Sequence, residues 1–107
     1  MIIKISTDFT ESPGARNVTD GPFSGEEFRD KILKPKFDEA IKNKEKLIID
    51  FDGGFGYPTS FLEESFGGLA RIYDEDLVLK SLEFISNDEP SLIEEVKSYI
   101  RFARRDK

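Results

Sequence analysis

The sequence contains no cysteine and no histidine among its 107 residues. The lack of thiols excludes disulfides and cysteine nucleophiles, and the lack of imidazole excludes a histidine general base. Zinc sites built from cysteine and histidine ligands are excluded for the same reason. The chain is therefore left without thiol, imidazole or zinc chemistry of these kinds.

Basic residues are also scarce, because the formal net charge is −6 and no long basic run occurs. A general nucleic-acid binder needs a basic face to neutralise phosphates, so we expect no DNA or RNA partner. Residues 47–90 contain two basic and ten acidic side chains, whereas the last stretch is locally basic. We interpret the basic residues of that stretch as a solvated helix end; they are Arg101, Arg104, Arg105 and Lys107.

Long apolar segments are absent as well. No apolar run approaches 20 residues, and the N-terminus goes directly into a strand pattern without a signal-peptide core. We therefore expect a soluble, cytoplasmic protein with no membrane partner. A length of 107 residues with 37% apolar residues predicts a single domain over residues 1–107, with one modest core.

The first half of the chain predicts a β-hairpin followed by a helix. Isoleucines at the N-terminus indicate a first strand running to about Asp8, and residues 16–19 a short return strand. Ser24, with Glu27 three residues later, forms a capping box, so a helix is predicted to begin there. Apolar residues continue at helical spacing for several turns, and Pro35 is expected to kink or split this helix.

The second half predicts strands and helices in alternation. Residues 47–51 are the clearest strand, and their consecutive apolar positions indicate a strand covered on both faces. A helix is predicted over residues 60–73, a strand over residues 77–85, and a last helix after Pro90. The order β-β-α-β-α-β-α predicts an α/β sandwich, in which a mixed sheet of about four strands is flanked by about three helices.

The loop of residues 52–58 leads from the central strand to the helix start at Ser60, and it contains three glycines. Glycines allow a sharp turn, and free N–H groups at a helix start favour negative charge. Ligands of α/β sheets collect at the carboxyl ends of strands, so this loop is a candidate site. Ser60 and Glu63 also form a second capping box, which by itself accounts for the serine.

Gly67 and Gly68 lie inside the predicted helix. A glycine in a helix interior costs about 1 kcal/mol relative to alanine, so the pair needs an explanation. Either another element crosses the helix closely here, or the helix presents a flat backbone to a partner.

Asp50 and Asp52 occupy alternate positions at the end of the central strand, so both side chains can face one place. Paired aspartates can hold Mg²⁺, which makes a small metal-dependent hydrolase one alternative. In the competing interpretation, Asp52 opens a turn and Asp50 ends the sheet.

The chain closely resembles the STAS-like family of small bacterial and phage-associated domains in the run from Ser60 to Arg71, SFLEESFGGLAR. Further matches are residues 24–28 with Pro35, and the strand of residues 47–50 before a glycine-rich loop. The resemblance covers most of the chain. It implies a fold similar to that of STAS domains, which include the anti-sigma factor antagonists.

In those antagonists, a serine at the start of the helix after a strand is phosphorylated by a partner kinase with a GHKL-type ATPase fold. The resemblance implies that Ser60 is the phosphorylation candidate, with Thr59 beside it, and that a phosphate would add about two negative charges to a binding surface. It implies a non-enzymatic signalling module without a cofactor, a GHKL ATPase- or kinase-like partner, and a monomer or weak homodimer. The partner-binding candidates are Phe55, Gly56, Tyr57, Phe61, Glu64, Gly67, Gly68 and Arg71.

The chain departs from the usual STAS pattern at the serine itself. STAS domains carry Asp-Ser-Ser-Gly or Asp-Ser-Thr-Gly there, whereas residues 58–61 read Pro-Thr-Ser-Phe. A binding module that keeps the STAS surface without phosphorylation is therefore one alternative. The others are the hydrolase that uses Asp50 and Asp52, and a self-associating structural subunit with Gly67 and Gly68 at its interface.

Overall fold

The centre of the fold is a sheet of three short parallel strands, seen in a computed structural model that describes residues 1–103. The strands are β1 (Ile2–Lys4), β2 (Leu47–Asp50) and β3 (Leu82–Ile85), in the order β1-β2-β3. The register aligns Ile3 with Ile49, and Ile49 with Phe84. Parallel neighbours require helical crossovers, and helices join each pair of strands here.

The helices are α1 (Ile5–Asp8), α2 (Gly25–Phe28), α3 (Lys34–Lys42), α4 (Thr59–Leu62), α5 (Gly68–Ile72), α6 (Glu75–Ser81) and α7 (Ser91–Arg101). A π-helical turn at Arg29–Leu33 joins α2 to α3, and another at Glu63–Gly67 joins α4 to α5. These continuous units are called helix 25–42 and helix 59–72 below. Among residues 1–103, no helix is both long and apolar enough to span a membrane.

Helix 25–42 begins and continues much as the sequence indicates. Ser24 is the N-cap, and its hydroxyl accepts the N–H of Glu27 at 3.0 Å. The helix runs through Pro35 without splitting, and its π-helical turn ends at Leu33, two residues before the proline. Because Pro35 has no N–H to donate to the preceding turn, the wider turn accommodates it.

The predicted N-terminal hairpin is wrong. Residues 5–8 form α1, and residues 18–20 form one turn of 3₁₀ helix in place of a return strand. Asp8 accepts the N–H of Lys4 at 2.8 Å, so the outer edge of β1 is hydrogen-bonded locally. The segment from Phe9 to Phe23 packs over the helices, and its Arg16 carbonyl accepts the N–H of Glu26.

The predicted strand over residues 77–85 is wrong in its first half. Asp74 caps α6, since its carboxylate accepts the N–H groups of Asp76 and Leu77. The acidic run that indicated a polar break is therefore a helix start, where carboxylates offset the positive end of the helix dipole. The strand itself is confined to β3. With the hairpin also absent, residues 1–103 contain three parallel strands and no mixed sheet of four.

Only one face of the sheet is fully covered, which corrects the prediction that β2 is buried on both faces. Leu47 and Ile49 are fully buried under the helices, whereas Ile48 and Asp50 on the other face are half-buried. Ile2, beside Ile48, is 54% exposed. Parallel sheets usually have helices on both faces, but here the helices pack against one another on one side.

Phenylalanine rings fill the space between the covered face and the helices. Phe28 and Phe61 lie 5.7 Å apart between ring centroids, and Phe66 contacts Phe51 of the sheet end at 5.7 Å. The predicted last helix is present as α7, and its Leu92, Val96 and Ile100 are buried in the same core. The basic end of this helix lies partly outside the described residues, which stop before Arg104, Arg105 and Lys107.

Candidate functional site

The loop after β2 is held rigidly at the carboxyl end of the sheet. The hydroxyl of Tyr57 donates to the carbonyl of Phe51 at 2.8 Å, and burial raises the pKa of Tyr57 well above its usual value. Gly53 and Gly56 have φ angles of +91° and +122°, which favour glycine. The loop therefore needs its glycines for its turns. At its tip the side chain of Phe55 is 82% exposed.

Asp52 and Asp88 tie this loop to the loop after β3. The carboxylate of Asp52 accepts the backbone N–H of Asp88 at 2.9 Å, and that of Asp88 accepts the N–H of Gly53 at 3.0 Å. The N–H of Asp88 lowers the pKa of Asp52, and the side chain of Asn87 adds to this effect.

The carboxylate of Asp50 also makes contacts within the fold. It accepts the N–H of Asp52 at 2.9 Å and lies 3.9 Å from the ammonium of Lys4. Among residues 1–103, no three acidic side chains are grouped as metal ligands. The geometry gives the hydrolase alternative no support, and it matches the interpretation that Asp52 opens a turn.

Helix 59–72 begins one residue earlier than predicted, so Ser60 does not cap it. Pro58 is the N-cap residue, with an extended ψ of 143°, and its carbonyl accepts the N–H of Leu62 at 3.2 Å. Ser60 is the second helical residue and is half-buried, while Thr59 before it is exposed. The predicted capping box is therefore wrong, because the N-cap residue is Pro58, two residues before Ser60.

Glu63 forms ion pairs in place of the predicted cap. Its carboxylate accepts hydrogen bonds from Arg71 at 2.7 Å and from Arg16 at 2.5 Å. These bonds, that of Arg71 first, lower the pKa of Glu63, although burial partly opposes them. Ser60 lies three residues before Glu63, on the same face of the helix.

Glu64 belongs to the same network. It pairs with Arg29 of helix 25–42, and Arg16 reaches it at 3.2 Å. The group of Arg16, Arg29, Arg71, Glu63 and Glu64 is called the arginine–glutamate cluster below. Asp30 also pairs with Arg29, at 3.0 Å, so the three arginines face three carboxylates and the charges balance. The acidic appearance of this stretch in the sequence is thus locally neutralised by residues from elsewhere in the chain.

Gly67 and Gly68 are buried where other elements cross helix 59–72. A Cβ atom on Gly67 would lie 3.3 Å from the carbonyl oxygen of Tyr99 in α7 and 2.6 Å from the carboxylate of Glu63. A Cβ atom on Gly68 would lie 2.6 Å from the guanidinium of Arg29. Close crossing by α7 and helix 25–42 therefore explains the pair, which presents no flat backbone surface to solvent.

The predicted partner-binding residues fall into three groups by exposure. Phe61, Gly67 and Gly68 are buried in the domain, and Tyr57, Glu64 and Arg71 are half-buried. The exposed candidates are Phe55 and Gly56 at the loop tip.

Sequence reasoning missed Arg16 and Arg29, which lie 47 and 35 residues from the glutamates they contact. The tertiary fold brings these arginines to the glutamates, and no local sequence pattern indicates the pairing.

Comparison with known protein families gives one finding. A family model described as a STAS-like domain of unknown function (DUF4325) matches residues 24–92. This match spans both long helices, the glycine-rich loop, Ser60, β2 and β3. No curated protein and no solved structure matches the chain.

Proposed function

Because this chain belongs to the family of STAS-like domains of unknown function, we propose that it is a non-enzymatic regulatory module of the anti-sigma factor antagonist type. Its partner would be a protein with a GHKL-type ATPase or kinase fold. The contact surface would be the loop tip with Phe55 and the start of helix 59–72, and phosphorylation of Ser60 would control it.

One observation carries this proposal. Ser60 is the second residue of a helix that directly follows a hydrogen-bonded loop, and the tip of that loop presents the 82% exposed ring of Phe55. A side chain that projects from a loop held by hydrogen bonds binds at a low entropic cost. Aromatic anchors of this kind supply much of the energy of protein interfaces.

The charges beside Ser60 favour a switch at this position. A phosphate at a helix start is favoured by the helix dipole. The cluster begins about one turn further along and, with Asp30 counted, carries no net negative charge. Arg16 is its most exposed cation, with 39% of its side chain accessible. The glutamates after Ser60 therefore do not oppose a phosphate as strongly as the sequence suggests.

The proposal predicts that Ser60→Asp weakens recovery of the partner when the tagged chain is purified from its native cells. A partner that is complementary to the uncharged surface would meet an added negative charge. A loss of about 1.4 kcal/mol of binding free energy lowers the affinity about tenfold. Quantitative mass spectrometry of the co-purified proteins measures the effect.

Ser91→Asp is the matched control, since Ser91 is an exposed serine at the first position of α7. It introduces the same side chain at another helix start, and partner recovery should equal that of the wild type. Equal recovery by Ser60→Asp and the wild type would refute the switch.

A further inference from the structure

The two ends of the sheet differ in shape and charge. At the carboxyl end, Phe55 projects from a loop whose backbone is fixed, since its N–H donates to the carbonyl of Glu11 at 2.9 Å. The carboxylates of Asp52 and Asp88 belong to the same loop structure. We call this protruding ring and its acidic surroundings the Phe55 knob.

An open groove of about 590 Å³ lies at the opposite end. Its apolar lining comes from Ile41, at the end of helix 25–42, and Leu77 of α6. The charged residues that line it are Lys44, Lys46, Lys80 and Glu45. Lys46 pairs with Glu83 at 3.7 Å, and Glu45 pairs with the N-terminal ammonium at 3.7 Å. The ammonium groups of Lys44 and Lys80 remain in excess, so the groove is basic although the molecule as a whole is acidic.

The parallel sheet separates the knob from the groove. Phe55 follows the carboxyl end of β2, whereas Lys46 and Ser81 directly precede the amino ends of β2 and β3. The two features therefore lie at opposite ends of the strands, and one molecule cannot insert its own knob into its own groove. A second copy can do so without any rearrangement of the fold.

We propose that the Phe55 knob of one copy docks in the basic groove of another, so that the chain self-associates head to tail. An apolar group flanked by negative charge complements the lining of the groove, and this chain carries such a group at its other end. A contact of this kind is heterologous, so a pair of copies still has one free knob and one free groove, at which further copies can add. Because a single ring buries far less than a standard interface of about 800 Å² per partner, the association is weak.

The proposal goes beyond the proposed function and needs no partner protein. Light scattering of the purified full-length chain over a rising concentration series should show an average mass that keeps increasing beyond that of a dimer. Phe55→Ala and Lys80→Glu should each raise the dissociation constant at least about tenfold, which corresponds to 1.4 kcal/mol. Both side chains are exposed, so neither change should prevent folding.

Val18→Ala and Lys36→Glu are the matched controls. Both alter exposed residues outside the knob and the groove, and both should associate like the wild type.

The decisive measurement mixes the two defective variants. Phe55→Ala retains its groove and Lys80→Glu retains its knob, so an equimolar mixture should form capped one-to-one pairs that do not grow. A wild-type chain that stays monomeric at millimolar concentration would overturn the proposal. A mixture in which the two variants fail to pair would also overturn it, as would a Phe55→Ala variant that associates like the wild type. These outcomes leave the proposed function untouched, because partner recovery is measured separately with Ser60→Asp.

Discussion

Gly25 and Gly68 lie at the crossing between the two long helices, but a side chain at each would meet different atoms. A Cβ atom on Gly25 would lie 2.5 Å from the backbone carbonyl oxygen of Phe61. At Gly68 the nearest atom is the guanidinium of Arg29, at the end of a flexible side chain. A backbone atom cannot move without shifting its helix, whereas a side chain can take another rotamer.

We therefore expect Gly25→Ala to lower the free energy of unfolding by about 1–3 kcal/mol, the range for overpacking a tight site. Gly68→Ala should cost less, because the arginine can move and alanine regains up to about 1 kcal/mol of helix propensity. Urea unfolding of both variants measures the difference. A larger loss for Gly68→Ala than for Gly25→Ala would contradict this account of the crossing.

At the scale of secondary-structure elements, two similar sequence signals have different outcomes. Ser24 with Glu27 and Ser60 with Glu63 both predict capping boxes. Ser24 does cap its helix, and it is fully buried. Ser60 lies inside its helix, because Pro58 takes the N-cap position.

Ser24→Ala should therefore lower the free energy of unfolding by about 1–2 kcal/mol, since the N–H of Glu27 loses its partner. Ser60→Ala should change it by no more than about 0.5 kcal/mol. Thermal or urea unfolding of the pair checks the contrast, and equal losses for the two variants would show that Ser60 stabilises its helix after all.

At the scale of the whole molecule, the arginine–glutamate cluster joins three parts of the chain. Arg16 comes from the N-terminal segment, Arg29 from helix 25–42, and the two glutamates from helix 59–72. Because the pKa of Glu63 is lower in the folded protein than its usual value of 4.5, its ionised form stabilises the fold. This contribution is present above about pH 5 and is lost as the pH falls through the depressed pKa.

We expect Glu63→Gln to lower the free energy of unfolding by about 1–3 kcal/mol at neutral pH, because hydrogen bonds to charged groups are lost. The difference from the wild type should shrink as the pH falls below 5, because Glu63 is protonated first in the unfolded chain and then, below its depressed pKa, in the folded protein. Unfolding curves across a pH series measure it.

Glu94→Gln is the control for this series. Glu94 forms exposed pairs with Lys97 and Arg101, and such surface pairs contribute little. A Glu63→Gln difference that does not depend on pH would contradict the assignment of the stabilising charge.

Local sequence determined the elements whose signals lie within a few residues. Consecutive apolar residues identified β2, and the capping box at Ser24 identified the start of helix 25–42. The run from Ser60 to Arg71 identified the family. Such signals can be interpreted from the sequence because propensity, capping and apolar periodicity act between neighbours along the chain.

Tertiary structure alone decided what depends on distant residues. It buried Phe61 and the paired glycines, and it left one face of the sheet only partly covered. It also brought Arg16 and Arg29 to glutamates 47 and 35 residues away, which neutralised the negative charge beside Ser60. The physical reason is that packing and ion pairing act through space, and no local pattern in the sequence records which distant side chain arrives.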